Sequence, residues 1–240
     1  MKISIIIPMY NESSIIEDTA RTLSDYMANN FEDYEIIFSD DGSRDGCKDL
    51  VEALKLPSVR VIGYEQNQGK GSAVRHGVLE SSGDLVMFTD ADLAYGTDVI
   101  KEVVDFYKEN SANEELHMVI GSRNLHKDGY AEYTFLRKIA SKIYIKVLCV
   151  VGGFKLSDSQ CGCKAFRGDA AKEIFSRCRV NGFAFDFEAI LWAGELGYTI
   201  KEIPVKIINH RESKVNVLKD SFKMLGDLRR IKKNVRKAAK

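Results

Sequence analysis

Leu85-Val86-Met87-Phe88-Thr89-Asp90-Ala91-Asp92 decides the fold. An apolar run stops abruptly at two carboxylates spaced i and i+2. A buried strand has no use for charge, so the acids belong at its carboxyl end, where the chain leaves the sheet. In an open α/β sheet that edge forms the crevice in which ligands bind. Alternate side chains of extended backbone share a face, so Asp90 and Asp92 can point at one ion. Two hard oxygen ligands suit Mg²⁺ or Mn²⁺, with a substrate diphosphate filling the remaining positions. Taken alone, Asp-x-Asp equally describes a solvated acidic turn, so the flanking chain has to choose.

The same pattern recurs upstream. Lys2 to Ile7 becomes solidly apolar, reads as a buried parallel strand stopped by Pro8, and leads into Pro8-Met9-Tyr10-Asn11-Glu12. Tyr34 to Ser39 is a second strand, ending in Asp40-Asp41-Gly42-Ser43. Val59 to Ile62 and Met118 to Ile120 read as further strands, the latter ending in Gly121-Ser122-Arg123. Helical periods separate them: about 13–29, with Ile16, Ala20, Leu23 and Met27 on one face, then a short helix, a helix to about Ser81, and one to about Asn110 capped by Thr97. Alternating strands and helices predict a doubly wound, mostly parallel α/β sheet flanked by helices. Glu12, Asp40, Asp41, Asp90 and Asp92 then share one edge. Five carboxylates there repel one another unless a cation or hydrogen-bond donors are present.

Beyond Asn124 the pattern loosens. Tyr133 to Val151 is helical, with Arg137, Lys138, Lys142 and Lys146 among apolar residues. A polar loop, 157–162, precedes helices at 170–177 and 185–196. Thr199 to Ile208 reads as a strand whose Pro204 argues for a sheet edge. The chain ends in a basic amphipathic helix from Leu218.

Composition narrows the classes. The chain has 240 residues, with Lys+Arg and Asp+Glu both 35. From Arg211 to Lys240 there are 11 basic and 3 acidic residues, net +8, which leaves −8 on the remainder. An acidic body with a basic tail fits a metal-using catalytic region and an anionic surface to sit on. Nucleic-acid binding is disfavoured, because no reader motif accompanies the basic residues. The five cysteines are irregularly spaced and read as small buried thiols of a reduced, cytoplasmic protein. Gly69-Lys70-Gly71 fails as a phosphate-binding P-loop: Tyr64 stands where the first glycine belongs, and Gly71 follows the lysine. Lys70 remains a candidate nucleotide contact, and Arg123 a candidate bidentate phosphate ligand. The dinucleotide glycine fingerprint of a Rossmann oxidoreductase is missing as well.

Together, Ile7-Pro8-Met9-Tyr10-Asn11-Glu12, Asp40-Asp41-Gly42-Ser43-x-Asp45-Gly46, Asn67-x-Gly69-Lys70-Gly71, Asp90-Ala91-Asp92 and Gly121-Ser122-Arg123 resemble family 2 glycosyltransferases of the GT-A fold. The resemblance is to the dolichyl-phosphate and polyprenyl-phosphate sugar synthases, over about residues 3–215. Asp158-Ser159-Gln160-Cys161-Gly162-Cys163-Lys164 and Phe183-Ala184-Phe185-Asp186-Phe187-Glu188 are similar to the dolichyl-phosphate glucosyltransferase branch. That resemblance implies inverting transfer of a hexose, glucose from UDP-glucose in first place, to dolichyl or undecaprenyl phosphate. It implies that Pro8, Tyr10, Glu12, Asp40, Asp41, Lys70, Asp90 and Ala91 hold the nucleotide sugar. Asp90 and Asp92 would hold the metal, and Arg123, Arg137, Arg211 and Lys214 the phosphates. Asp158 and Glu188 would order the acceptor site, so that Asp92, Asp158, Glu188 and Arg123 form the catalytic group. Mannosyl-branch members often carry Gln where Ala94 stands here, which leaves the third metal ligand open.

Two domains are expected: a catalytic domain over 1–215 and a membrane-contacting basic helix over 216–240. Many relatives carry transmembrane helices after the catalytic domain. This chain is expected to reach its lipid peripherally, from the cytoplasmic face, through the 133–151 helix (Phe135, Ile139, Ile143, Tyr144, Val147) and the tail helix (Leu218, Phe222, Leu225, Leu228). The alternatives are a family 2 transferase with a saccharide or small-molecule acceptor, and a catalytically silent sugar-nucleotide-binding module.

Overall fold

The computed structural model describes residues 1–112, 115–130, 135–209 and 217–239, without side-chain detail for 135–137 and 217–226. Seven strands form one sheet: β1 (Ile3–Met9), β2 (Tyr34–Asp40), β3 (Val59–Gly63), β4 (Leu85–Phe88), β5 (Leu116–Ser122), β6 (Lys164–Arg167) and β7 (Thr199–Pro204). Their order is β3-β2-β1-β4-β6-β5-β7. All are parallel except β6, which runs antiparallel to both its neighbours, β4 and β5. The helices are α1 (Ile16–Asn30), α2 (Cys47–Ala53), α3 (Lys70–Glu80), α4 (Asp98–Ser111), α5 (Phe135–Gly152), α6 (Gly168–Arg177), α7 (Phe185–Glu195) and α8 (Val217–Ala238).

The sheet has a core on each face. One holds α1, α2 and α4 against Ile5, Ile7, Phe38 and Met87; the other holds α3, α6, α7 and parts of α5 and α8 against Ile6, Ile37, Phe88 and Phe166. Every residue of β1 is buried, as a central strand covered on both faces requires. β7 lies at the sheet edge, where its proline is tolerated.

Three local expectations are corrected. β1 continues through Pro8, which pairs with Ser39, to Met9. The flank toward β4 is already unpaired there, since that ladder ends at Ile6 and Phe88, so the missing N–H costs nothing. Thr97 occupies the N-cap position of α4 but makes no side-chain capping bond. The four-residue β6 was not foreseen: charged at both ends, it carries no strand pattern of its own, yet it bridges β4 and β5.

The tail helix is not independent of the body. Leu228, placed by sequence on the membrane side, is buried with Ile231 and Val235 in the second core. The side chains of Leu218, Phe222 and Leu225, and that of Phe135 on α5, lie outside the described residues. Along α5, Ile145 and Leu148 are buried, whereas Ile139, Ile143 and Val150 are 40%, 59% and 73% exposed. No described helix is long and apolar enough to cross a membrane. All five cysteines are free, and all but Cys149 are buried.

Candidate active site

β2, β1 and β4 are adjacent and parallel, so their carboxyl ends bring Asp40-Asp41, Tyr10-Glu12 and Asp90-Asp92 to one edge. Glu12 and Asp90 both lie near enough to Asp92 to act on its charge. Burial first, then the Asp90 charge, pushes the Asp92 carboxyl up; a bond from the Ala94 N–H at 3.1 Å opposes this only in part. The loop is strained and pinned. Leu93 has φ 47°, and Asn209 Nδ2, beyond β7, donates to the Leu93 carbonyl at 2.8 Å.

Lys70, at the start of α3, forms an ion pair with Asp90. Burial alone would discourage its charge, and Asp90 with the neighbouring Asp186 and Asp92 more than reverses this. The other side of Asp90 is covered by Gly162. A Cβ there would lie 2.2 Å from Asp90 Oδ2, so only glycine lets the 157–162 loop close on this carboxylate. The Gly162 N–H donates to Tyr95 Oη at 3.2 Å.

The Asp40-Asp41 pair is occupied within the protein. Asp41 accepts from Tyr64 Oη at 2.6 Å, Asn67 Nδ2 at 2.8 Å, and the Gln68 and Gly69 N–H groups at 2.9 Å. It thereby fixes the loop that delivers Lys70. Gly69 has φ 110°, a conformation that favours glycine, and a Cβ there would lie 2.6 Å from the Asn181 carbonyl oxygen. Asp40 accepts from Ser43 N–H at 3.2 Å. Pro8 is buried, Tyr10 is 42% exposed at the rim, and the Ala91 carbonyl accepts from Thr19 Oγ1 at 2.7 Å.

Arg123 and Asp158 are together, as a closed pair. Arg123 Nε and Nη2 donate to Asp158 at 2.6 and 2.9 Å, and its backbone N–H donates at 3.1 Å. The guanidinium fork expected to grip a phosphate is therefore taken by Asp158. Glu202 of β7 fixes this loop, accepting from Ser157 N–H and Oγ and from Asp158 N–H at 2.7–3.0 Å.

Glu188 is not brought to the carboxylate edge. It accepts from the Arg179 and Val180 N–H groups at 2.8 and 2.7 Å, on the wall of an 870 Å³ cavity between α6, α7 and α8. Two residues earlier on α7, Asp186 accepts from Lys164 Nζ at 2.7 Å, and that ammonium also donates to the Cys161 carbonyl at 2.6 Å. Burial pushes the Asp186 carboxyl up, against the pull of Lys164 and Lys70. Lys164 and Asp186 are thus site residues that sequence reasoning passed over. No local pattern marked them, since Lys164 opens a four-residue strand with charged ends and its partner lies 22 positions away. Arg211 and Lys214 lie outside the described residues, as does the side chain of Arg137.

Among the described residues, no three His, Cys, Asp or Glu side chains converge on a metal position. Asp90, paired with Lys70, and Asp92, which accepts the Ala94 N–H, are two adjacent carboxylates, the number by which Mg²⁺ is commonly held alongside substrate phosphate oxygens and water.

Residues 4–175 match the family described as Glycosyl transferase family 2. The chain belongs to that family. The dolichyl-phosphate beta-glucosyltransferase of Dictyostelium discoideum is 34% identical, with 96% of this chain and 73% of that protein covered. A dolichyl-phosphate beta-glucosyltransferase of Saccharomyces cerevisiae is 29% identical, with 94% and 72% covered. Glucosyl-3-phosphoglycerate synthase of Mycobacterium tuberculosis, solved with Mn²⁺, UDP-glucose and phosphoglyceric acid, superposes with a TM-score of 0.69 at 20% identity, over 98% of this chain and 79% of that one. This family 2 glycosyltransferase therefore has the GT-A-like fold, with its acidic edge on the carboxyl ends of β1, β2 and β4.

Proposed function

We propose that this glycosyltransferase moves glucose from UDP-glucose to a polyprenyl phosphate of the dolichyl type, inverting the anomeric carbon. The observation that carries the reading is the 34% identity to a dolichyl-phosphate beta-glucosyltransferase across 96% of the chain. The acidic edge supports it, because a nucleoside diphosphate needs positive charge brought to it.

In this reading Pro8, Tyr10 and Glu12 line the nucleoside side of the crevice. Asp41 acts indirectly, by holding the Asn67–Gly69 turn that presents Lys70. Asp90 and Asp92 would hold Mg²⁺ or Mn²⁺, which would supply charge neutralisation for the departing diphosphate. Lys70, paired with Asp90, and Lys164, buried against Asp186, act through those partners by holding the two carboxylates in place. The acceptor oxygen is already anionic near neutral pH, so it attacks the anomeric carbon without a general base. One C–O bond forms, one breaks, and UDP leaves. Arg123, Arg137, Arg211 and Lys214 remain the proposed phosphate-side cations, with Arg123 acting through its lock on Asp158.

The test offers labelled UDP-glucose, GDP-mannose and UDP-N-acetylglucosamine to the full chain with detergent-dispersed dolichyl phosphate. Label extracted into the lipid phase from UDP-glucose alone is the expected result. Donor consumption without lipid-phase label would discard the lipid acceptor, and transfer from GDP-mannose alone would discard the glucosyl assignment.

A further inference from the structure

An open groove of about 580 Å³ runs between α5 and the 154–157 segment. Lys142, Lys146 and Lys155 line it, over an apolar floor of Ile145, Phe154 and Leu156. None of its lining residues is acidic. All three lysines are exposed, and among the described residues none of them makes an ion pair. Three exposed cations around an apolar trough, without an acidic partner among the described residues, match a ligand with an anionic head and a hydrocarbon chain, and match neither half alone.

The groove ends at the known edge. Asn124 and Ser157 close it, and Asn124 Nδ2 donates to the Ser157 carbonyl at 2.6 Å. Their chain neighbours are Arg123 and Asp158, the locked pair. The loop that begins at Ser157 runs on to Gly162, which lies against Asp90, so one short loop links the groove to the carboxylate edge. Its outer lip is the exposed side of α5, where Ile139, Ile143 and Val150 alternate with Lys142 and Lys146 at spacings of three, four and seven. Three uncovered aliphatic side chains on one helix face, set among lysines, are what a helix resting on an anionic bilayer presents.

We infer that this groove receives the acceptor lipid: α5 lies against the bilayer, and Lys142, Lys146 and Lys155 draw the prenyl phosphate head toward the Arg123–Asp158 lock. The inference rests on the lipid-phosphate acceptor proposed above. It adds the path by which that acceptor arrives, and it assigns the acceptor's affinity to three lysines outside the carboxylate cluster.

The test compares the full chain with its Lys142→Gln/Lys146→Gln/Lys155→Gln variant. All three side chains are exposed, so the variant keeps its core, and thermal unfolding verifies this. Two readouts are used: equilibrium binding of farnesyl phosphate, with farnesol and inorganic phosphate as references, and the KM values for UDP-glucose and dolichyl phosphate. The groove predicts that the variant binds farnesyl phosphate at least about tenfold more weakly and raises the dolichyl phosphate KM similarly. The UDP-glucose KM and the kcat stay within about twofold. Restoring the charges as Lys→Arg at the three positions recovers the affinity.

Unchanged farnesyl phosphate binding in the variant overturns the groove. Inorganic phosphate binding as tightly as farnesyl phosphate also overturns it, by removing the apolar floor from the account. A chain that transfers glucose to dolichyl phosphate with a KM indifferent to the lysines refutes the groove alone. A chain that binds farnesyl phosphate through the lysines yet glucosylates no lipid keeps the groove and refutes the acceptor reading.

Discussion

At the scale of single residues, the carboxylates of the edge differ in how far the protein itself occupies them. Asp92 has burial, Asp90 and Glu12 acting against its charge, and the Ala94 N–H and the Lys70 charge only partly offsetting them. A cation at this position would relieve that repulsion on Asp92. Replacing it as Asp92→Asn should lower the glucosyl-transfer rate by about 100-fold or more while leaving donor binding in EDTA within about twofold. Rapid-quench transfer and equilibrium binding check the two halves. Asp41 is occupied by the protein itself. Asp41→Ala would strand the Gln68 and Gly69 N–H groups and the Tyr64 hydroxyl, costing about 1–3 kcal/mol in urea unfolding and raising the donor KM. The sequence made the positions of these acids plain, because charge at the end of an apolar run has one place to go. It could not sort them, because the hydrogen bonds that occupy Asp41 come from residues 23 to 28 positions away. The Lys164–Asp186 pair was hidden for the same reason: its halves sit on a strand and a helix that meet only in the fold.

Among the elements, the parallel strands and their helices were legible from apolar runs and 3.6-residue spacing, and Pro204 marked the edge correctly. The antiparallel β6 was not, because four residues with charged ends give no period to read. Its insertion shapes the site. It carries the 157–162 loop back across the edge, where Gly162 meets Asp90 and Glu202 ties down Ser157 and Asp158. Glu202 reaches this loop from β7, on the far side of β5. Glu202→Ala should therefore loosen the Arg123–Asp158 lock without touching the carboxylate edge. The expected result is a stability loss of about 1–3 kcal/mol in urea unfolding together with a raised acceptor KM. An unchanged acceptor KM would detach the lock from acceptor handling.

For the whole molecule, the second core explains why the C-terminal helix cannot be read from its amphipathic pattern alone. A helix with one apolar face can cover protein or membrane, and the pattern is identical for both. Here Leu228, Ile231 and Val235 cover α7 and its neighbours. Leu228→Ala should cost about 2–4 kcal/mol in chemical denaturation, a cavity-sized penalty that a membrane-facing leucine would not show in detergent-free solution. The exposed aliphatic side of α5 is left as the surface turned outward, next to the lysine groove and one loop away from the carboxylates. In the proposed reading, the donor edge and the lipid-facing side would be continuous. The most direct test of the account is the rate of lipid-linked glucose formation from UDP-glucose and dolichyl phosphate, with Mn²⁺ and again with EDTA. The account predicts lipid-extractable label that EDTA abolishes and Mn²⁺ restores. Lipid-linked glucose formed at the same rate in EDTA would contradict the role given to Asp90 and Asp92.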